Sequence, residues 1–219
     1  MTEFLTTDRS RIKRKPERGS SDRATIHQIL DEALICHVGF VENGQPYVIP
    51  INFARVADGI YLHGAVASRL LKHVGAGHEF CVEVTLVDGL VLARSVFNHS
   101  VNYRSVVLFG SGRLVEDEQE KLSALEAITE HLIPGRWRDA RPPNAKELKA
   151  TSVVRIQIEE ASAKIRSGPV GDDEEDYALP VWAGVIPLRD TALPPLPDDR
   201  LPQGIAPPAY VKDYSRRPH

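Results

Sequence analysis

His63, Gly64, Ser68, Arg69 and Lys72 all fall within the stretch HGAVASRLLK. The stretch follows an apolar run, IYL, and precedes a helical pattern, so these groups sit where a strand hands over to a helix. Free backbone N–H groups and the dipole at a helix start favour an anion. Ser68 offers a hydroxyl there. Arg69 offers a planar fork for two phosphate oxygens. Lys72 lies one turn on, on the same side. The small residues between them allow a ligand close to the backbone. Two readings are open: a phosphate cradle, or a capped amphipathic surface helix. His63 adds a group whose ordinary pKa, near 6.5, lets it donate or accept at working pH.

Other chemistries lack their patterns. There is no HExxH or HxxxH, and His73 and His78 are separated by Gly75 and do not share a helix face, so no metal site is expected. There is no GxSxG, no GxGxxG and no Walker lysine motif. Cys36 and Cys81 lie within apolar runs and read as reduced core residues.

The surrounding elements read mainly as strands. Ser20, Ser21 and Asp22 offer caps to a first helix, ATIHQILDEA. LICHVGFVE and YVIPINFARV flank Asn43-Gly44, a hairpin signal. IYLHGA is a third strand, ASRLLKHVGAG a short helix and HEFCVEVTLV a fourth strand. DGLVLARSVFNHS is ambiguous between strand and loop. In NYRSVVLFGSGRLVED, Gly110 and Gly112 predict a bulge or a barrel corner. Leu122, Leu125, Ile128 and Leu132 stripe one long helix, and TSVVRIQIEEASAKI alternates as a last strand. The expected fold is mainly β with inserted helices: at least five or six strands, mostly antiparallel hairpins, for which a small closed or partly open barrel is the natural way to remove the sheet edges.

Three regions are expected: a flexible basic arm over 1–20, the barrel domain over 21–187, and a proline-rich tail over 188–219. The net charge of −3 gives no general attraction to nucleic acid or anionic lipid, so a nucleic-acid partner is not expected. The N-terminus has no apolar signal region, and no run approaches a membrane span. A soluble, cytoplasmic protein is the expectation.

YLHGAVASRLLK, followed by NYRSVVLFGSGRLVED and LPVWAGVIPL, resembles the FMN-binding split-barrel superfamily of pyridoxamine 5'-phosphate oxidases, closest to its Nim-type nitroimidazole-resistance branch. The resemblance runs from about residue 20 to 187. It implies a six-stranded antiparallel split β-barrel with helices outside, forming a homodimer with FMN in the interface. The phosphate would lie with His63, Gly64, Ser68, Arg69 and Lys72. The isoalloxazine ring would lie by Asn52 and Phe53, with Tyr103, Arg104 and Ser105 also at the flavin. His63, beside the ring, is the catalytic candidate, and Trp182 would cover the flavin of the facing subunit. Leu70 stands where the oxidase branch has a second basic residue, and that branch's closing arginine-rich motif is missing. Both departures weigh against pyridoxamine phosphate oxidation. An electron donor and a small conjugated or nitro-type substrate are implied instead. The rival readings are a non-catalytic FMN carrier or sensor, and a haem-binding split barrel with His63 or His99 on iron.

Overall fold

The computed structural model describes residues 2–215; Met1 and residues 216–219, the end of the expected tail, lie outside them. The strands are β1 (Gly19–Ser20), β2 (Ile35–Glu42), β3 (Gln45–Val56), β4 (Gly59–Ala65), β5 (Phe80–Leu92), β6 (Ser100–Leu114), β7 (Thr151–Arg166) and β8 (Gly184–Pro187). The helices are α1 (Arg23–Glu32), α2 (Arg69–Gly75), α3 (Glu118–Leu132), α4 (Arg136–Asp139), α5 (Ala145–Ala150) and α6 (Ala209–Lys212).

Six strands form a closed ring. β4, β3, β2, β5 and β6 are neighbours in that order, and β7 pairs with both β4 and β6. Every pairing in the ring is antiparallel. Closure satisfies the backbone groups that an open edge would expose. This is the expected split barrel. The β2–β3 turn has positive φ at Asn43 (52°) and Gly44 (78°), the conformation a two-residue hairpin needs.

Alternation along the strands sorts side chains into two cores. Val38, Phe53, Leu62, Val82, Leu108 and Ile156 fill the interior, closed off by Ile26, Ile29 and Leu30 of α1 and by Leu70, Leu71 and Val74 of α2. Ala54, Tyr61 and Val153 face outward and are covered by Ala124 and Ile128 of α3. Asp22 caps α1, Ser68 caps α2 and Asp117 caps α3, each accepting from a backbone N–H three residues on.

The glycines in β6 are where the ring closes. A bulge lies between Phe109 and Gly110. A Cβ on Gly110 would stand 1.8 Å from the Gln157 carbonyl oxygen of β7. One on Gly112 would stand 2.5 Å from Val74 of α2. The ambiguous stretch after residue 88 divides: β5 continues to Leu92, where β8 pairs with residues 89–92, and residues 93–99 form a loop with a 3-10 turn at Val96–Asn98.

The sequence predicted a flexible arm over 1–20, and the structure corrects this. Phe4 is only 3% exposed and joins the barrel core. Glu160 of β7 accepts hydrogen bonds from Thr7 Oγ1, from Arg9 Nη2 (2.7 Å) and from Ser10 Oγ (3.3 Å). β1 pairs with Ala163 and Lys164. The basic composition hid one apolar anchor and one buried acceptor. At the other end, Tyr210 and Tyr214 donate to Asp139 (2.8 Å) and to the Leu132 carbonyl (2.8 Å), which fastens the chain after the prolines.

The Gly110 contact gives a direct test. Gly110→Ala should lower stability by roughly 3 kcal/mol or more, as overpacking against backbone does. Gly39→Ala, whose Cβ would meet nothing closer than 3.9 Å, should cost less than about 1 kcal/mol. Urea midpoints compare them; equal midpoints would remove the closure argument.

Candidate functional site

Strand geometry places the expected site residues in two groups on the outside of the barrel. Phe53 pairs with Leu62 and both face the interior. The neighbouring residues on each strand, Asn52 and His63, therefore face outward. His63 is half-buried, and its Nδ1 is shielded from solvent without a hydrogen-bond partner. Burial pushes its pKa below the ordinary imidazole value. A buried polar atom without a partner is costly in a finished protein and ordinary in a site awaiting a ligand. Gly64 follows, where a Cβ would press within 3.2 Å of Leu71.

Tyr103 and Ser105 form the second group. They pair with Val87 and Thr85 of β5 and face outward, half-exposed. β7 lies between β4 and β6: Val153 is opposite His63, whereas Lys164 and Arg166 are opposite Ser105 and Tyr103, so the two groups stand roughly 30 Å apart along that strand. The structure thus does not bring Tyr103 and Ser105 to Asn52 and His63 within one chain. Trp182 is 67% exposed, its ring lying over Gly184.

Two expected residues are structural. Phe53 is fully buried with its ring 5.4 Å from that of His131, so its side chain is closed to a ligand. Arg104 points opposite to Tyr103 and Ser105, toward the end of the barrel under α1. It donates to Asp88 at 2.9 and 3.0 Å and meets Glu32 at 2.8 Å. Those partners raise its pKa and leave the guanidinium no role as an anion binder. Their faces follow from register, which composition does not reveal.

At α2, Ser68 Oγ accepts from Leu71 N at 3.4 Å. Arg69 turns toward the hairpin, with Nε 3.1 Å from Glu42 and its guanidinium 4.5 Å from the Tyr47 ring centre. Lys72 lines a cleft of ≈ 950 Å³ between the β2–β3 hairpin, α2 and the N-terminal arm. The cleft also holds Gly39, Phe40, Tyr47, His73, His78 and Arg9. The turn after α2 brings His73 and His78 to 5.0 Å between ring centres, although their spacing had set them apart. Sequence reasoning missed this cleft. Its signal was Gly39 within a strand, a mark of close approach by a ligand. His99 lies elsewhere, its Nδ1 2.9 Å from the Ser95 carbonyl. Among the described residues there is no cluster of three or more metal-ligating side chains, and no helix is long and apolar enough to cross a membrane.

Residues 22–165 match the family model described as pyridoxamine 5'-phosphate oxidase. The chain belongs to this family. The match spans most of the barrel, so the flavin-binding split barrels of the family are the frame for the site. Among solved structures, the flavocytochrome Anf3 from Azotobacter vinelandii is 44% identical, with a TM-score of 0.89 over 95% of this chain and 97% of that one. The FAD and haem binding protein from Mycobacterium smegmatis is 35% identical, with a TM-score of 0.85 over 90% of this chain and 96% of that one. A 5-nitroimidazole antibiotic resistance protein from Bacteroides thetaiotaomicron, 24% identical with a TM-score of 0.56, covers 67% of this chain and 86% of its own, and shares the fold. No curated protein matches the chain.

His63 gives the pH prediction. Its folded pKa lies below the unfolded value of about 6.5, so the folded state resists protonation. Stability is then full above about pH 6.5 and falls as the pH drops below it, because only the unfolded chain takes up the proton. His63→Phe should remove that acid-side loss. Denaturant titrations of wild type and variant from about pH 7 to 5 measure it. A constant difference between them would contradict a buried neutral imidazole.

Proposed function

We propose that this chain is a flavin-binding redox protein, active as a homodimer, that carries a haem as a second redox group. One observation carries the reading: the likeness to the two proteins named for flavin or cytochrome and haem extends over 95% and 90% of the chain, well beyond residues 22–165 of the family model. The separation of the two outward groups supports the dimer. A two-fold partner would bring its Tyr103 and Ser105 face to the Asn52 and His63 face of this chain. The exposed Ile35, Val87 and Trp182 suit such an interface.

The residues fit a flavin. His63 offers an unpartnered buried nitrogen beside the bare backbone of Gly64, and Asn52 lies on the same outer face. Ser68 and Arg69 would hold the phosphate, Arg69 leaving Glu42 for it. A flavin when bound supplies one- and two-electron transfer. The protein's own part is to fix the phosphate, to keep water from the ring with Trp182 of the facing subunit, and to present the neutral His63 as donor or acceptor. The FMN expected from the sequence and the FAD named for the Mycobacterium smegmatis relative share the phosphate that Arg69 addresses. Mass measurement of the acid-released flavin tells them apart. The external reductant and a small conjugated or nitro-type acceptor remain the proposed partners.

The absorption spectrum of freshly purified protein tests this. It should show a flavin band near about 450 nm and a Soret band near about 400 nm. Arg69→Ala should weaken flavin binding about 10- to 100-fold, the value of a charge-assisted phosphate contact. Colourless protein that ignores both added flavin and added haemin would overturn the reading.

A further inference from the structure

We propose that residues 189–208, the proline-rich segment between β8 and α6, form a strap that clasps the facing subunit; this rests on the reading above that the chain is a homodimer.

Both ends of the strap are fastened to the chain's own barrel. At the first, the Leu188 N–H donates to the Asp88 carbonyl oxygen at 3.0 Å, just beyond the β5–β8 pairing. At the second, Tyr210 donates to Asp139 and lies against Gly135, and Tyr214 donates to the Leu132 carbonyl. These two roots are neighbours. Arg104 joins Asp88 to Glu32 at the end of α1. The next residue, Ala33, has its carbonyl oxygen 2.7 Å from Nε2 of His131, beside Leu132. Between the roots run twenty residues, up to about 60 Å of extended chain at ~3.1 Å per residue. A segment so much longer than the gap it spans must leave the surface and come back.

The turn back is at its middle. The Leu201 N–H donates to the Asp198 carbonyl at 2.9 Å, and the Arg200 N–H to the Asp198 carboxylate at 2.7 Å. Every residue from Ile186 to Ala209 is exposed. Leu193 and Leu196, on the outgoing limb, are 83% and 93% exposed, and Ile205, on the returning limb, is 55% exposed. Apolar side chains held this far off their own barrel suit cover by another surface. Pro194, Pro195 and Pro197 already restrict the outgoing limb, so seating it costs little ordering entropy.

Position and charge choose the occupant. The outgoing root at Asp88 is next to Val87, which stands opposite Tyr103, and Trp182 comes just before β8. The strap therefore starts at the edge of the face that meets the second copy. Its charges, Arg189, Asp190, Asp198, Asp199 and Arg200, are of both signs, which gives no field to hold nucleic acid or an anionic lipid surface. The stretch 191–197 between them carries no charge. An uncharged apolar limb on the rim of a two-fold junction fits a second copy of this chain, with each copy's strap lying on the other.

The test uses full-length protein with its flavin. Leu193→Asp combined with Leu196→Asp alters two side chains that their own barrel leaves bare, so the fold is kept. Sedimentation across a dilution series should show a wild-type dimer, and a dissociation constant raised about ten-fold or more in the double variant. In a second experiment, Leu196→p-benzoylphenylalanine is irradiated in dimers mixed from isotopically light and heavy chains. The cross-linked peptides should include pairs of light with heavy. Either an unchanged dissociation constant or cross-links confined to one copy would overturn the clasp and leave the homodimer standing. Wild-type protein that stays monomeric with flavin bound would sink the homodimer reading, and the clasp with it.

Discussion

The barrel closes because residues 110 and 112 have no side chains. β6 must bend onto β7 at one point and onto α2 two residues later. At the first point the gap for a Cβ is 1.8 Å, measured to backbone oxygen. At the second it is 2.5 Å, measured to Val74. Backbone cannot yield as a flexible side chain can, so glycine is the only residue that lets both contacts form. With the ring shut, no strand edge in it is left unpaired. α2 is seated by the same approach, and its position fixes Arg69 at one end and His73 at the other.

From that seat the site follows by alternation. Strand period two sends Leu62 inward and His63 outward, Phe53 inward and Asn52 outward, Arg104 toward α1 and its neighbours away from it. The outward residues are the chemically available ones. The inward ones build the interior, or in Arg104's case a three-membered ion pair that closes the barrel end. Chemical type alone would treat Arg104 and Arg69 as equals. Their partners separate them: two carboxylates hold the first in a half-buried setting, whereas the second meets one exposed carboxylate that a phosphate can replace.

Much of this was legible in local sequence. The Asn43-Gly44 turn, the Ser68 cap and the glycine pair in β6 each carry their geometry in residue type, and the barrel and family follow from their order. What was not legible was long-range. Nothing near Glu160 in sequence says that it will accept bonds from Thr7, Arg9 and Ser10. Phe53 reads as a ring contact until its register with Leu62 puts it inside. His73 and His78 read as unrelated because helical spacing is the wrong ruler across a glycine turn. Cys36, by contrast, read correctly as core: burial pushes its thiol up to about 12.

The arm that Glu160 holds has a temporal consequence. Its partners are 150 or more positions apart in the chain. β7 also supplies the closing pairings to β1, β4 and β6. During synthesis the first residues leave the ribosome long before β7 exists, and they must wait, apolar Phe4 included, for the strand that receives them. Contacts of such sequence separation form late and slow the folding of β-rich chains. The completed cleft, with Arg9 as one wall, is then among the last parts of the molecule to take shape, so a group bound there meets a barrel that is already closed.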